Sequence, residues 1–316
     1  MVRHLLNTSD LSTDDILSIV KKAHSFLVAR VSEQTTSLVN EQTTPLLREQ
    51  PPSLSHRRIV LAFFEPSTRT RLSFDMAAHR LGAKTMYFQP SGSSVEKGES
   101  LRETILTIEA MGFDAIVLRH PEDGIVADVA TYTSMKVINA GEGTLAHPTQ
   151  ALLDASTLME QYGSMKGLRI CIVGDVRHSR VARSNVDVFK RLGAEVAICG
   201  PSAMRPEENL GAVQTFDSID DALQWATVIN LLRIQRERMS AVELPSIEEY
   251  RSKYALTSER LTRHPGLCVI HPGPVNVGVE IDEAVLNSKQ SLIHRQVTHG
   301  VAVRMATLLH VLHSES

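Results

Sequence analysis

Apolar residues gather in short runs, at 59–64, 85–88, 115–118 and 137–140, and again at 168–173, 195–199, 227–232 and 268–270, the first of them unbroken. Such runs, bounded by polar turns, are what strands buried on both faces present. A different period fills the stretches between them. Phe74, Ala77, Ala78 and Leu81 recur on one face of a helix that Gly82 is placed to end, and residues 148–162 form a long helical stretch stopped by Gly163. Ser12 and Asp15 make a capping pair that opens the first helix, and residues 301–311 carry the last apolar period. Strands alternating with helices predict an α/β chain with parallel sheets. The stretch at 148–162 separates the strands into two sets. The expectation is therefore two doubly wound parallel-sheet domains joined by a bridging helix, 1–147 and 148–292, with a C-terminal helix, 293–316, returning to the first domain. The polar tract 31–58, with Pro45, Pro51 and Pro52, reads as a helix end and a surface loop.

Composition narrows the classes. A chain of 316 residues, 42% hydrophobic and 22% charged, can bury two cores. A net charge of −3 and 4% aromatic content argue against a nucleic-acid surface, which needs a basic face and stacking rings. Cys171, Cys199 and Cys268 lie far apart inside apolar runs, so they read as buried reduced thiols, with no metal-ligand spacing. The first residues carry no leader pattern, and no stretch is apolar for long enough to span a bilayer. A cytoplasmic protein with no membrane partner is expected.

The candidate chemistry begins where the run at 59–64 hands over to a helix opening on Ser67, Thr68, Arg69, Thr70 and Arg71. A helix start offers unpaired N–H groups and the positive end of its dipole, which favour an anion. A lone hydroxyl there would read as a cap. Three hydroxyls interleaved with two arginines crowd cations onto the end where the dipole disfavours them, so a bound phosphate explains the tract better. The glycines of a nucleotide-binding loop are missing. In parallel sheets ligands sit beyond the carboxyl ends of strands. Arg119 and His120, His147, Asp175, Arg233 with Gln235, and His271 with Pro272, Gly273 and Pro274 all fall at such ends. His120 alone reads as a solvated strand end. Arg180 stands at a helix start, while Arg183 fits an exposed basic face as well as a site. Arg233 and Gln235 are even between the two readings, because Arg236 and Arg238 follow. The small-residue loop 92–100, with Lys97 between Glu96 and Glu99, reads on spacing alone as a solvent loop.

STRTR after a strand, then HPTQALLD, GDVRHSRVARS and HPGPVN, in that order, closely resemble the catalytic chains of the aspartate carbamoyltransferase family over nearly the whole length. The first two motifs are shared with the ornithine enzymes; the segments around Arg180 and Arg233 choose aspartate. The resemblance implies transfer of a carbamoyl group from carbamoyl phosphate to the amine of L-aspartate, an early step of pyrimidine biosynthesis, with no cofactor and no metal. It implies that Ser67, Thr68, Arg69 and Thr70 hold the phosphate, and that Thr70, Arg119 and His147 face the carbonyl oxygen. Gln150 with the backbone of Gly273 and Pro274 would hold the carbamoyl amide, and Arg180, Arg233 and Gln235 the aspartate carboxylates. Ser93 and Lys97 would reach a neighbouring subunit's site within a homotrimer, with room for a higher assembly with regulatory chains or a dihydroorotase. The family pattern commonly reads HPGPVNRG, so Val277 removes an expected arginine, and His299 stands where a smaller polar residue is usual. Two alternatives stay open at this point: a transferase for another amino acid such as ornithine, and a non-catalytic anion-binding subunit.

Overall fold

The structure is a computed structural model that describes residues 4–36, 53–207, 210–234 and 246–313. It forms two compact units, Met1–Leu152 with His299–Ser316, and Leu153–Thr298. The divisions fall inside two helices, α5 (Pro148–Tyr162) and α11 (Ile293–Leu312).

In the first unit α1 (Thr13–Thr36) precedes β1 (Arg58–Phe63), α2 (Thr68–Arg80), β2 (Lys84–Phe88), α3 (Leu101–Ala110), β3 (Ala115–His120), α4 (Ile125–Tyr132) and β4 (Lys136–Glu142). The strands pair in parallel in the order β2-β1-β3-β4. The chain winds to one side of β1 and then to the other, so the switch point lies between β1 and β3. At the β4 edge, Leu5 donates to Val137 and accepts from Asn139, both at 2.8 Å, and so occupies backbone groups that an edge strand would leave open. α2 forms because Phe74, Ala77 and Ala78 bury one face against the sheet, and Gly82, at φ +77°, turns the chain out of it. Phe74 is fully buried with the Arg304 guanidinium 5.1 Å from its ring, so the end of α11 is packed against α2.

In the second unit β5 (Arg169–Val173), α6 (Arg180–Arg191), β6 (Glu195–Cys199), β7 (Gln214–Phe216), α7 (Ile219–Trp225) and β8 (Val228–Leu231) are followed by α8 (Ile247–Tyr254), α9 (Ser258–Arg263), β9 (Cys268–Ile270) and α10 (Glu283–Leu286). The sheet order is β7-β6-β5-β8-β9, again parallel, with the switch between β5 and β8. Its core is drawn from alternate strand positions such as Cys171, Val173, Ile229 and Leu231, packed on Tyr250, Tyr254 and Leu256.

Every apolar run expected to be a strand is one. β7 was not anticipated: its three residues carry one apolar side chain, too little for a pattern. α11 begins at Ile293, earlier than the period at 301 predicts, because buried Leu292 and Ile293 anchor a first turn whose next residues are polar. Of the tract 31–58, residues 37–52 lie outside the described residues. Among the described residues no helix is long and apolar enough to cross a membrane.

The three cysteines are free and buried. Burial pushes the Cys199 thiol up to about 12, that of Cys268 to about 11, and that of Cys171 well above its ordinary value. A thiol reagent at neutral pH is expected to label none of them in the native protein and all of them in denaturant. Unfolded thiols ionise near ~8.5, so these groups should make stability fall as the pH rises past that value, read by chemical denaturation across an alkaline series.

Candidate active site

The first unit brings three of the predicted segments to one edge of its sheet. β1, β3 and β4 are neighbours, and their carboxyl ends lead to the Ser67 tract, to Arg119 and to His147. Ser67 is the N-cap of α2, with extended backbone at φ −160°, yet its hydroxyl makes no capping bond. The same residue type at the start of α6 behaves differently: the Ser179 hydroxyl accepts the Ala182 N–H at 3.1 Å. A helix start whose own cap leaves it open is the arrangement an external anion can close. Thr70 is buried, while Thr68 and Arg69 are exposed. Arg71 points elsewhere: its guanidinium lies 5.3 Å over the Tyr87 ring, so the second arginine of the tract fastens α2 to β2.

Arg119 pairs with Phe63 across β1 and sits where the β3–β4 register shifts, between Leu118 and His120. Such an irregularity re-aims a side chain at a strand end. Its Nε is 2.6 Å from Glu65 Oε1, with both side chains only 13% exposed, and Nη1 reaches the Ala140 carbonyl at 3.3 Å. Glu65 was missed at the sequence level, although a carboxylate one residue before Pro66, beside a strand ending in arginine, was the available signal. His120 is half-buried rather than a solvated strand end: its ring packs 5.3 Å from Phe64, its Nδ1 accepts the Glu122 N–H, and burial lowers its pKa. His147 and Gln150 are buried at the start of α5, with the Gln150 N–H donating to the His147 carbonyl at 3.0 Å. Ser93 bonds the Pro90 carbonyl at 2.6 Å, and Lys97 is exposed at the end of a 3-10 turn, Ser94–Lys97.

In the second unit β5, β8 and β9 are also neighbours, and they deliver the GDVRHSR, LLR and HPGP segments to one edge. Arg180 is buried in the first turn of α6. Asp175, also buried, braces the turn before it by accepting the His178 N–H at 3.2 Å and lying 3.0 Å from His178 Nδ1. Arg233 follows β8 by two residues and is half-buried; Gln235 lies outside the described residues. The His271 N–H donates to Gln296 Oε1 at 2.9 Å, and Gln296 donates in turn to Asp154, whose other oxygen takes Asn185 at 2.9 Å. This buried relay anchors the start of the HPGP segment to α5, α6 and α11. No local spacing announced it.

Residues 3–160 match the family model of the aspartate/ornithine carbamoyltransferase carbamoyl-P binding domain, and residues 166–311 that of the Asp/Orn binding domain. The aspartate carbamoyltransferase catalytic subunit of Chlorobaculum tepidum is 52% identical over 83% of this chain and 87% of its own. That of Chlorobium phaeovibrioides is 47% identical over 97% of each. Among solved structures, aspartate transcarbamoylase from Trypanosoma cruzi in complex with N-(phosphonacetyl)-L-aspartic acid matches with a TM-score of 0.85 at 26% identity, covering 99% of this chain and 96% of that one. The catalytic subunit of M. jannaschii aspartate transcarbamoylase matches at 0.81 and 31% identity, covering 99% of each.

The two helix-opening serines make a controlled pair. Ser179→Ala is expected to cost about 1 kcal/mol of stability, the usual worth of a cap. Ser67→Ala should leave stability within about 0.5 kcal/mol and instead weaken phosphate binding. Denaturant melts beside phosphate calorimetry check both; a stability loss for Ser67→Ala equal to that of Ser179→Ala would make Ser67 an ordinary cap.

Proposed function

The chain belongs to the aspartate/ornithine carbamoyltransferase family, and on that premise we propose how its residues divide the work of moving a carbamoyl group from carbamoyl phosphate to the amine of L-aspartate. The products are N-carbamoyl-L-aspartate and phosphate, and the step belongs to pyrimidine biosynthesis. Aspartate rather than ornithine is favoured by the relatives at about half identity, all catalytic subunits of aspartate enzymes among those compared, and by chemistry: Arg180 and Arg233 suit a dicarboxylate, whereas an ornithine ammonium would need acidic partners.

The observation that carries the reading is the uncapped start of α2 beside the ends of β3 and β4. Ser67, Thr68, Arg69 and Thr70 hold the phosphate. The aspartate amine attacks the carbamoyl carbon, negative charge builds on the carbonyl oxygen, and Thr70, Arg119 and His147 donate to it. Gln150 and the backbone of Gly273 and Pro274 hold the carbamoyl amide; Arg180, Arg233 and Gln235 hold the aspartate carboxylates. Arg69 and Lys97 stabilise the departing phosphate. Phosphate is also the proton acceptor we assign, because the His147 nitrogen that donates to the oxyanion cannot accept at the same time. The ion pair with Glu65 holds the Arg119 guanidinium at the strand end. The assembly is a cytoplasmic homotrimer in which Ser93 and Lys97 serve a neighbouring subunit, consistent with the exposure of Lys97 and of Leu72 and Met76 on α2.

Release of phosphate from carbamoyl phosphate is expected with aspartate and absent with ornithine. His147→Asn should lower kcat by about a hundred- to a thousand-fold, as loss of one oxyanion donor does; undiminished turnover would remove His147 from that role. For the shared site, inactive Lys97→Ala and Arg69→Ala chains are mixed and refolded together. Recovered activity in verified mixed trimers is the expected result, and none at all would confine each site to one chain.

A further inference from the structure

The second unit buries a group of polar side chains that the chemistry above leaves unused. His271 is 2% exposed, Tyr250 1% and Glu280 0%, and they come from the end of β9, from α8 and from the turn after the HPGP segment. Hydrogen bonding settles the state of the imidazole. Its Nδ1 accepts the Gly273 N–H at 2.8 Å, so the ring is neutral with its hydrogen on Nε2. That nitrogen lies 3.4 Å from Glu280 Oε1, and the same oxygen accepts the Asn276 N–H at 2.5 Å. One imidazole and one carboxylate therefore hold backbone N–H groups on both sides of Pro274.

Three buried atoms of this group, His271 Nε2, Glu280 Oε2 and the Tyr250 hydroxyl, have no hydrogen-bond partner among the described residues, and orphaned groups of this kind are costly unless the protein uses them. The phenol lies near the root of another loop: a Cβ built on Gly174, which directly follows β5, would be 3.3 Å from its hydroxyl.

We propose that His271 and Glu280 are positioning residues: a buried brace that sets the backbone of Gly273 and Pro274 where it can hold the carbamoyl amide. The inference rests on the reading of Gly273 and Pro274 given above. Neither side chain is assigned a contact with substrate. Their effect comes through the loop, where a misplacement of an ångström is enough to lose most of a well-aligned reaction.

The test separates amide from phosphate. Inorganic phosphate needs only the cradle at α2, whereas carbamoyl phosphate needs the cradle and the loop. In Glu280→Leu, which has no acceptor for the Asn276 N–H, kcat/KM for carbamoyl phosphate is expected to fall roughly ten- to a hundred-fold while the inhibition constant of inorganic phosphate stays within about twofold, and Glu280→Gln, whose amide oxygen can still accept, should retain more activity. His271→Asn, whose amide oxygen can take the Gly273 N–H, should retain more activity than His271→Leu, which has no acceptor. Unchanged kcat/KM, or an equal loss of phosphate and carbamoyl phosphate affinity, overturns the brace. A parent protein that releases no phosphate from carbamoyl phosphate and aspartate fails earlier, at the reading beneath it, and takes the brace with it.

Discussion

A parallel strand has to be entered from the same end as its neighbour, so every loop that follows a strand emerges at one edge of the sheet. That constraint places the chemistry. In the first unit it puts the starts of α2 and α5 and the end of β3 side by side; in the second it does the same for the loops after β5, β8 and β9. At the switch points the chain leaves in opposite directions, and the resulting crevice is where helix starts face outward with unpaired N–H groups. On the proposed reading, an anion at α2 would use what the fold already leaves open, and the arginines would add selectivity to a location chosen by backbone geometry.

Much of this was legible from residue order. Strands that are apolar on both faces announce themselves, and α5 ends where Gly163 takes the positive φ of +76° that side chains rarely adopt. The start of α2 was legible too, because hydroxyls and cations at a helix opening conflict with ordinary capping. What stayed hidden depends on partners distant in the chain. Nothing near Ser67 or Ser179 says that one hydroxyl caps and the other does not. Arg71 looked equivalent to Arg69 until β2 supplied Tyr87. Glu65 and Arg119 are separated by α2, β2 and α3 and meet only when β1 and β3 pair.

The buried polar residues of the second unit show why such partners matter. Asp154 accepts from Asn185 and from Gln296, and Gln296 accepts the His271 N–H, so a carboxylate on α5 holds the entry to the HPGP segment through one intermediary. Inside a protein each of these bonds is stronger than in water, and each group is costly if left alone. An apolar core would pack as well but would leave the loop free to slide. A satisfied polar relay specifies one backbone position, which is what the proposed role of the HPGP segment would require.

The same logic bears on Val277, where the resemblance leads us to expect an arginine. The turn that carries it is closed by its own backbone: the Gly278 N–H donates to the Ile281 carbonyl at 2.9 Å and the Val279 N–H to the Asn276 carbonyl at 3.0 Å. Glu280 pins the Asn276 N–H from below, and Val277 itself is half exposed, with its side chain adding little to the core. The shape of the turn therefore does not depend on which residue occupies position 277. An arginine there would add a charge without being needed for the backbone of the turn, so what valine changes is the local electrostatics, a contribution that salt screens.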